Sequence, residues 1–421
     1  MEAVPLGQRN PTPVFCGYGQ GVVLAGPPSI TRSLSKMRHS LPLLFVLSCV
    51  GCVAGEARSS DSTRSVGADS QAAAAAQGRD TTNHFLTDTA IVRGLYVNRF
   101  AAQSTRRMKK LIAIADSTEV NAFVLDMKDE FGLNYQSTDA KVIPNAGRMG
   151  TVPNLKALLD TLKAHDILAI ARLVVFKDSV AARVHPERTI RKADGTTWRD
   201  RQGLAWVNPY DREIWEYNIR VAEEMVRLGF PEIQFDYIRF PEPYRSLTKQ
   251  VFPEANGVTK PDALAAFLKI ACGRINRLGG RCTADVFGLI TTVNGALEIG
   301  QDWKKLSPVT DVLLPMVYPS HYPRGAFGID RPNAEPYKVI YGAIAKLHER
   351  DRALGVSNPE HVRPWLQAFS IGQPKYGAAE IEAQKKAVYD AGYNGWVLWH
   401  PGSLYEPFLG GLEQSTVSRK K

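Results

Sequence analysis

Eight short apolar runs, at 94–98, 122–128, 168–176, 232–240, 282–289, 312–318, 364–369 and 396–400, recur along this 421-residue chain. Longer segments of helical period lie between them. In the first interval Met108, Leu111, Ile112 and Ala115 fall at i, i+3, i+4 and i+7, and in the next Leu155, Leu158, Leu159 and Leu162 repeat the stripe. Further helices are expected around 211–228, 262–278, 337–347 and 378–391, with a shorter connection near 302–306. A chain that alternates strand and helix in this way builds a parallel sheet covered by its crossover helices.

Connection lengths narrow the choice. Three helices run into glycine just before a strand, at Gly229, Gly279-Gly280 and Gly392, where a left-handed backbone ends the helix and turns the chain quickly into the sheet. The strand-to-helix connections are long, notably 177–209, 241–261 and 319–336. Length gathered on one side of the repeats predicts an α/β fold, a (β/α)8 TIM barrel whose long loops lie at the C-terminal face of the strands and carry the active site. A doubly wound open sheet is the alternative, disfavoured by eight regular repeats without a Gly-rich phosphate loop.

Residues 1–54 read as an export leader. The apolar segment Leu41-Pro-Leu-Leu-Phe-Val-Leu-Ser-Cys-Val50 follows Arg32, Lys36 and Arg38, and is too short to span a bilayer. Translation from Met37 would bring the charged and apolar regions to the usual place. Cys49 and Cys52 each resemble a lipoprotein cleavage site whose cysteine takes a lipid, and ordinary signal cleavage nearby is the other reading. Export to the periplasm, the cell envelope or the medium is expected either way. Residues 55–88 hold almost no large apolar side chain and read as a disordered tether, followed by the barrel at 89–410 and a tail at 411–421. With Cys16, Cys49 and Cys52 in the leader, Cys272 and Cys282 remain as a candidate disulfide in an oxidising compartment, or as two buried thiols.

The net charge of +10 comes from Lys and Arg scattered along the chain rather than clustered. That pattern fits a solvated basic surface and gives no footprint for a nucleic acid. No metal-ligand spacing is present, and no cofactor is expected.

Polar residues at the strand ends are the candidates for chemistry. Strand two, Val124-Leu-Asp-Met-Lys-Asp129, places Asp126 and Lys128 on one face with Asp129 beyond. Arg172 lies on strand three, Gln234 and Asp236 share a face of strand four, and Asp285 lies on strand five. An acidic residue in a strand as apolar as the fourth must face a cleft or a polar partner. Two carboxyls on adjacent strand ends form the pair that acid/base cleavage of a glycosidic bond uses, one charged and the other holding its proton. Structural roles compete: Asp285 as an acceptor of backbone hydrogen bonds, and Asp126 as an ion-pair partner of Lys128 or Arg172. Arg239 is either a substrate clamp or a partner of Glu242 or Asp236. His400 is either a proton carrier or a wall residue. Trp198 and Trp206 in the loop after strand three, with Tyr237, Tyr318 and Trp399, form a candidate platform for stacking sugar rings, the alternative being a lid packed on the rim.

Gly94-Leu-Tyr-Val-Asn98, Asn121-Ala-Phe-Val-Leu-Asp-Met-Lys-Asp129, Ala171-Arg-Leu-Val-Val-Phe-Lys-Asp178, Trp198-Arg-Asp-Arg-Gln-Gly-Leu-Ala-Trp-Val-Asn-Pro209, Gln234-Phe-Asp-Tyr-Ile-Arg-Phe-Pro241 and Ala284-Asp-Val-Phe-Gly288 together resemble a bacterial glycoside hydrolase family recognised largely by sequence and similar to TIM-barrel glycosidases. The resemblance spans about residues 92–405. It implies a (β/α)8 fold, a carbohydrate polymer as substrate, and catalytic carboxylates at Asp236 and Asp285. Many such glycosidases use Glu on strand five, where this chain has Asp. The expectation is an exported glycosidase with Asp236, Asp285 and Asp126 in catalysis. The alternative is a non-catalytic glycan-binding barrel of the cell envelope.

Overall fold

The computed structural model describes residues 83–87 and 90–414. The leader, with Cys49 and Cys52, and the tether as far as residue 82 lie outside the described residues. Eight parallel strands form the centre: β1 (Arg93–Val97), β2 (Ala122–Asp129), β3 (Leu168–Val174), β4 (Glu232–Asp236), β5 (Arg281–Phe287), β6 (Val312–Met316), β7 (Trp365–Gln367) and β8 (Trp396–Trp399). Each pairs with the next, and β1 pairs with both β2 and β8, so the sheet closes into a barrel. The closure is thinnest between β6 and β7, where Met316 opposite Trp365 is the strand pair and Leu313 bridges to Val362.

The labelled helices are α1 (Thr105–Ser117), α2 (Leu155–Ala164), α3 (Ser179–Val184), α4 (Arg212–Leu228), α5 (Lys260–Arg277), α6 (Trp303–Leu306), α7 (Pro336–Ile344), α8 (Leu347–Ala353) and α9 (Ala378–Asp390). The longer helices follow the expected intervals, whereas α3, α8 and a single turn at Arg99–Ala102 were not expected. After β8 a 3-10 turn, Glu406–Gly411, stands where an eighth helix would lie. Side-chain oxygens cap α1 to α6 at their starts, as Asp211 does by accepting from Glu213 and Ile214 N–H groups. Gly229, Gly279 and Gly392 are all left-handed, with φ of 110°, 76° and 89°. No helix among the described residues is long and apolar enough to cross a membrane.

Alternation along the strands divides the core in two. Phe123, Leu125 and Met127 of β2 point outward and join the large layer between barrel and helices. Ala122 and Val124 point inward, with Leu168, Ile170, Val312, Leu314 and Val397, and fill the barrel's interior. At its lower end the buried Glu232 takes Arg363 Nη1 at 2.6 Å, which compensates a charge sealed from water. Phe85, placed by sequence in the tether, is buried in the interior cluster, and Gln414, placed in the tail, bridges Thr118, so the folded unit runs past both expected borders. Cys272 on α5 and Cys282 on β5 are disulfide-bonded, their Cα atoms 5.1 Å apart.

Candidate active site

The strand registers set the inward polar residues level. Asp126 opposes Arg172, Arg172 opposes Gln234, and Val174 opposes Asp236. Phe235 opposite Ala284 then puts Asp236 beside Asp285, both at the C-terminal mouth. Arg172 is the hub. Its Nη1 donates to Asp126 Oδ1 at 2.5 Å, its Nε to Asp236 Oδ2 at 3.0 Å with Nη2 on the same oxygen, and its Nε lies 3.9 Å from Asp285 Oδ2. Tyr96 donates its hydroxyl to Asp126 Oδ2, and the Arg172 guanidinium lies over the Tyr96 ring at 5.6 Å. Of the alternatives for Asp126, the structure shows the pair with Arg172.

Asp236 ends β4 abruptly. Tyr237 is left-handed, with φ of 52°, and its N–H donates to Asp236 Oδ1 at 2.5 Å. A non-glycine residue held there stores on the order of 1–3 kcal/mol of strain, which persists only where surrounding structure imposes it. The turn orients the carboxylate and breaks the strand, so Arg239 leaves the sheet. Arg239 pairs with Glu242 Oε2 at 3.0 Å and lies against the rings of Trp206, Tyr237 and Phe287.

Asp285 is sealed beneath, 1% exposed. Its Oδ1 accepts from Trp365 Nε1 at 2.6 Å and Gln234 Nε2 at 2.9 Å. Burial first, then the negative charge of Asp236, push its carboxyl well above the usual range, against the opposing pull of Arg172. Both effects favour its protonated form beside a second carboxylate. At 1% exposure it offers almost no surface of its own to the mouth.

A neutral Asp285 makes a testable statement. Its unfolded carboxyl loses a proton near pH 4 while the folded one keeps it, so the folded state binds more protons and stability falls as pH rises above about 4. Asp285→Asn is expected to remove that slope and to cost less than about 1.5 kcal/mol at neutral pH. Asp285→Ala leaves the Trp365 and Gln234 donors unpaired and is expected to cost roughly 2–4 kcal/mol. Urea unfolding of both variants from pH 4 to 8 checks this; a stability that rises with pH by the same amount in wild type and Asp285→Asn contradicts it.

The remaining sequence candidates divide. Tyr318 and Trp399 border the site on the far wall, their rings 5.7 Å apart, with Phe369 packed edge-on against both. Burial, above all, raises the Tyr318 phenol well above its usual range. Asp129 accepts from Arg99 Nη1 at 2.9 Å, and burial pushes its carboxyl up to about 7. Lys128 leaves the site, because β2 is irregular between Asp126 and Lys128. The slip turns Lys128 away from the inward face, and its fully buried ammonium meets Asp178 Oδ2 at 2.8 Å and lies over the Tyr217 ring.

Trp198 and Trp206 are buried rather than offered to a ligand. Trp198 donates Nε1 to Thr248 O and Trp206 donates Nε1 to Asp200 Oδ2, each at 2.9 Å. They form the core of a small antiparallel ribbon in the β3–α4 loop, which is the lid alternative. His400 turns into its own loop, where Nδ1 accepts from the Gly402 N–H at 3.0 Å. Tyr96 and Trp365 were missed as site residues. Tyr96 carried a signal, a polar aromatic two residues past Gly94 near a strand end, whereas Trp365 reads as any core aromatic.

Three acidic strand-end side chains thus converge on one guanidinium at the mouth of a closed, parallel (β/α)8 barrel. Residues 94–405 match the model of the family described as "Putative glycosyl hydrolase domain", and the chain belongs to that family. Among solved structures, the glycoside hydrolase domain of PgaB (BpsB) from Bordetella bronchiseptica is 14% identical, with a TM-score of 0.54 over 75% of this chain and 96% of that one, and it shares the barrel fold. A hypothetical protein from Ruminiclostridium thermocellum ATCC 27405 is 34% identical over 46% of this chain and 97% of its own, with a TM-score of 0.42. Comparison with the curated proteins finds no match.

Proposed function

We propose that the barrel hydrolyses glycosidic bonds of a polysaccharide, with Asp236 as the carboxylate that faces the anomeric carbon. The observation that carries this reading is the charge arrangement around Arg172. Asp126 and Asp236 share one guanidinium while burial and the charge of Asp236 favour the neutral form of Asp285. The cluster therefore keeps one negative charge in excess, and Asp236 is its outermost strand-end member. A carboxylate so placed stabilises the positive charge that develops on a sugar ring as its glycosidic bond breaks. The half-buried Trp399 and the rim residue Tyr237 supply ring faces beside it. An exported or lipid-anchored enzyme acting on polysaccharide outside the cytoplasm fits the leader read from the sequence.

Release of new reducing ends from a panel of bacterial, plant and chitin-type polysaccharides tests the reading. Wild-type protein is expected to release them from at least one polymer. Retardation of the protein in a polysaccharide gel, with no product from any polymer, would instead establish the glycan-binding barrel.

A further inference from the structure

The carboxylates inside the mouth are occupied. Asp126 is bound by Tyr96 and Arg172, Asp236 by Arg172 and the Tyr237 N–H, Asp285 by Trp365 and Gln234, and Asp129 by Arg99 and the Phe131 N–H. Acid/base catalysis needs a different carboxyl, one that reaches the substrate and exchanges its proton with water. Glu130, at the rim beside these, is the candidate. It is half-buried, and among the described residues its side chain makes no hydrogen bond and no ion pair.

Its position is nevertheless fixed. β2 ends at Asp129, which pairs antiparallel with Gly132, so Glu130 and Phe131 form the tip of a tight hairpin on the C-terminal rim. A Cβ on Gly132 would stand 2.3 Å from Ala146 O, so the hairpin is seated against its neighbour with no room to spare. The Glu130 carbonyl accepts from Ser179 N at 3.1 Å and Ser179 Oγ at 2.6 Å, which ties the tip to the start of α3. Burial raises two phenols of the mouth, and the Glu130 charge adds to both. They are Tyr96, which holds Asp126, and Tyr237, the neighbour of Asp236, on which the Glu130 charge outweighs that of Asp236 itself. A free carboxylate on a pinned backbone, within electrostatic reach of both sides of the site, is what the occupied carboxylates lack.

We propose that Glu130 is the acid/base catalyst of the hydrolysis, a role that rests on the glycosidase reading above. In the first step its carboxyl gives a proton to the glycosidic oxygen. The bond between that oxygen and the anomeric carbon breaks with its electron pair going to the oxygen, while Asp236 faces the anomeric carbon. Water then adds its hydroxyl to that carbon and returns its second proton to Glu130. Asp285 is then a positioning residue that acts through Gln234 and Asp236.

The test compares wild type, Glu130→Gln, Glu130→Asp and Asp236→Asn on the polysaccharide that the wild-type protein cleaves, with kcat and KM read from pH 4 to 9. Glu130→Gln is expected to lower kcat about a hundredfold to ten-thousandfold and to abolish the fall in rate at high pH that marks loss of the acid. Glu130→Asp is expected to recover part of that rate, and the unfolding temperature is expected to stay at the wild-type value because the side chain holds nothing in place. A Glu130→Gln variant with wild-type kcat and pH profile, or with a change in KM alone, overturns the proposal while inactive Asp236→Asn leaves the glycosidase reading standing. A wild-type protein that releases nothing from any polymer removes both.

Discussion

Asp236→Asn is expected to lower kcat about a thousandfold or more while the protein stays folded. The substitution keeps the shape of the side chain and one acceptor, so the new amide oxygen still accepts from the Tyr237 N–H or from Arg172, and Arg172 keeps its second carboxylate, Asp126. What disappears is the negative charge facing the anomeric carbon. Loss of a hydrogen bond to a charged group inside the barrel costs on the order of 1.5–3 kcal/mol, which a domain of this size withstands. Thermal unfolding and kcat together check this outcome. Unfolding of the variant at ambient temperature would make Asp236 a structural residue, and wild-type turnover would remove it from the reaction.

Arg172→Met is expected to show the largest loss of stability of any single change in the site, about 3–5 kcal/mol at neutral pH. The guanidinium lies between Asp126 and Asp236, which are 4% and 7% exposed, and its removal leaves two carboxylates without a cation in the barrel's interior. The methionine stem fills much of the arginine's volume, so the effect reads charge rather than a cavity. Adding Asp126→Asn to Arg172→Met is expected to recover part of the loss, because one of the two stranded charges is gone. Chemical denaturation of the single and double variants measures both effects. A cost below about 1 kcal/mol for Arg172→Met would show that the cluster is hydrated and that Arg172 does not organise it.

The barrel was legible because its signals are local and repeated. Apolar runs at 122–128 and 312–318 and the stripe Met108, Leu111, Ile112, Ala115 follow from period alone, and the three helix-ending glycines show left-handed turns at their expected places. Asp236 was legible for a related reason, since an acid among Ile, Phe and Tyr in a strand has few stable positions. Errors arose where the backbone departs from ideal alternation. The irregularity in β2 turns Lys128 out of the face it would share with Asp126, and the left-handed Tyr237 ends β4 at Asp236, short of the expected 240. Neither break has a glycine or proline to announce it. Trp198 and Trp206 mislead for another reason: a loop that builds its own small core needs large aromatics just as a sugar platform does, and sequence does not separate the two. Glu130 lay outside every pattern read from the sequence, because its placement depends on a two-residue hairpin after β2.

The central claim, that the mouth around Asp236 breaks glycosidic bonds with water, is tested most directly by isotope incorporation. Wild-type protein is incubated with the polymer panel in water enriched in oxygen-18, and the oligosaccharides released are read by mass spectrometry. One oxygen-18 is expected at each new reducing end with wild type and none above background with Asp236→Asn. Labelled products in equal yield from the two proteins, or unlabelled products from wild type, would contradict it.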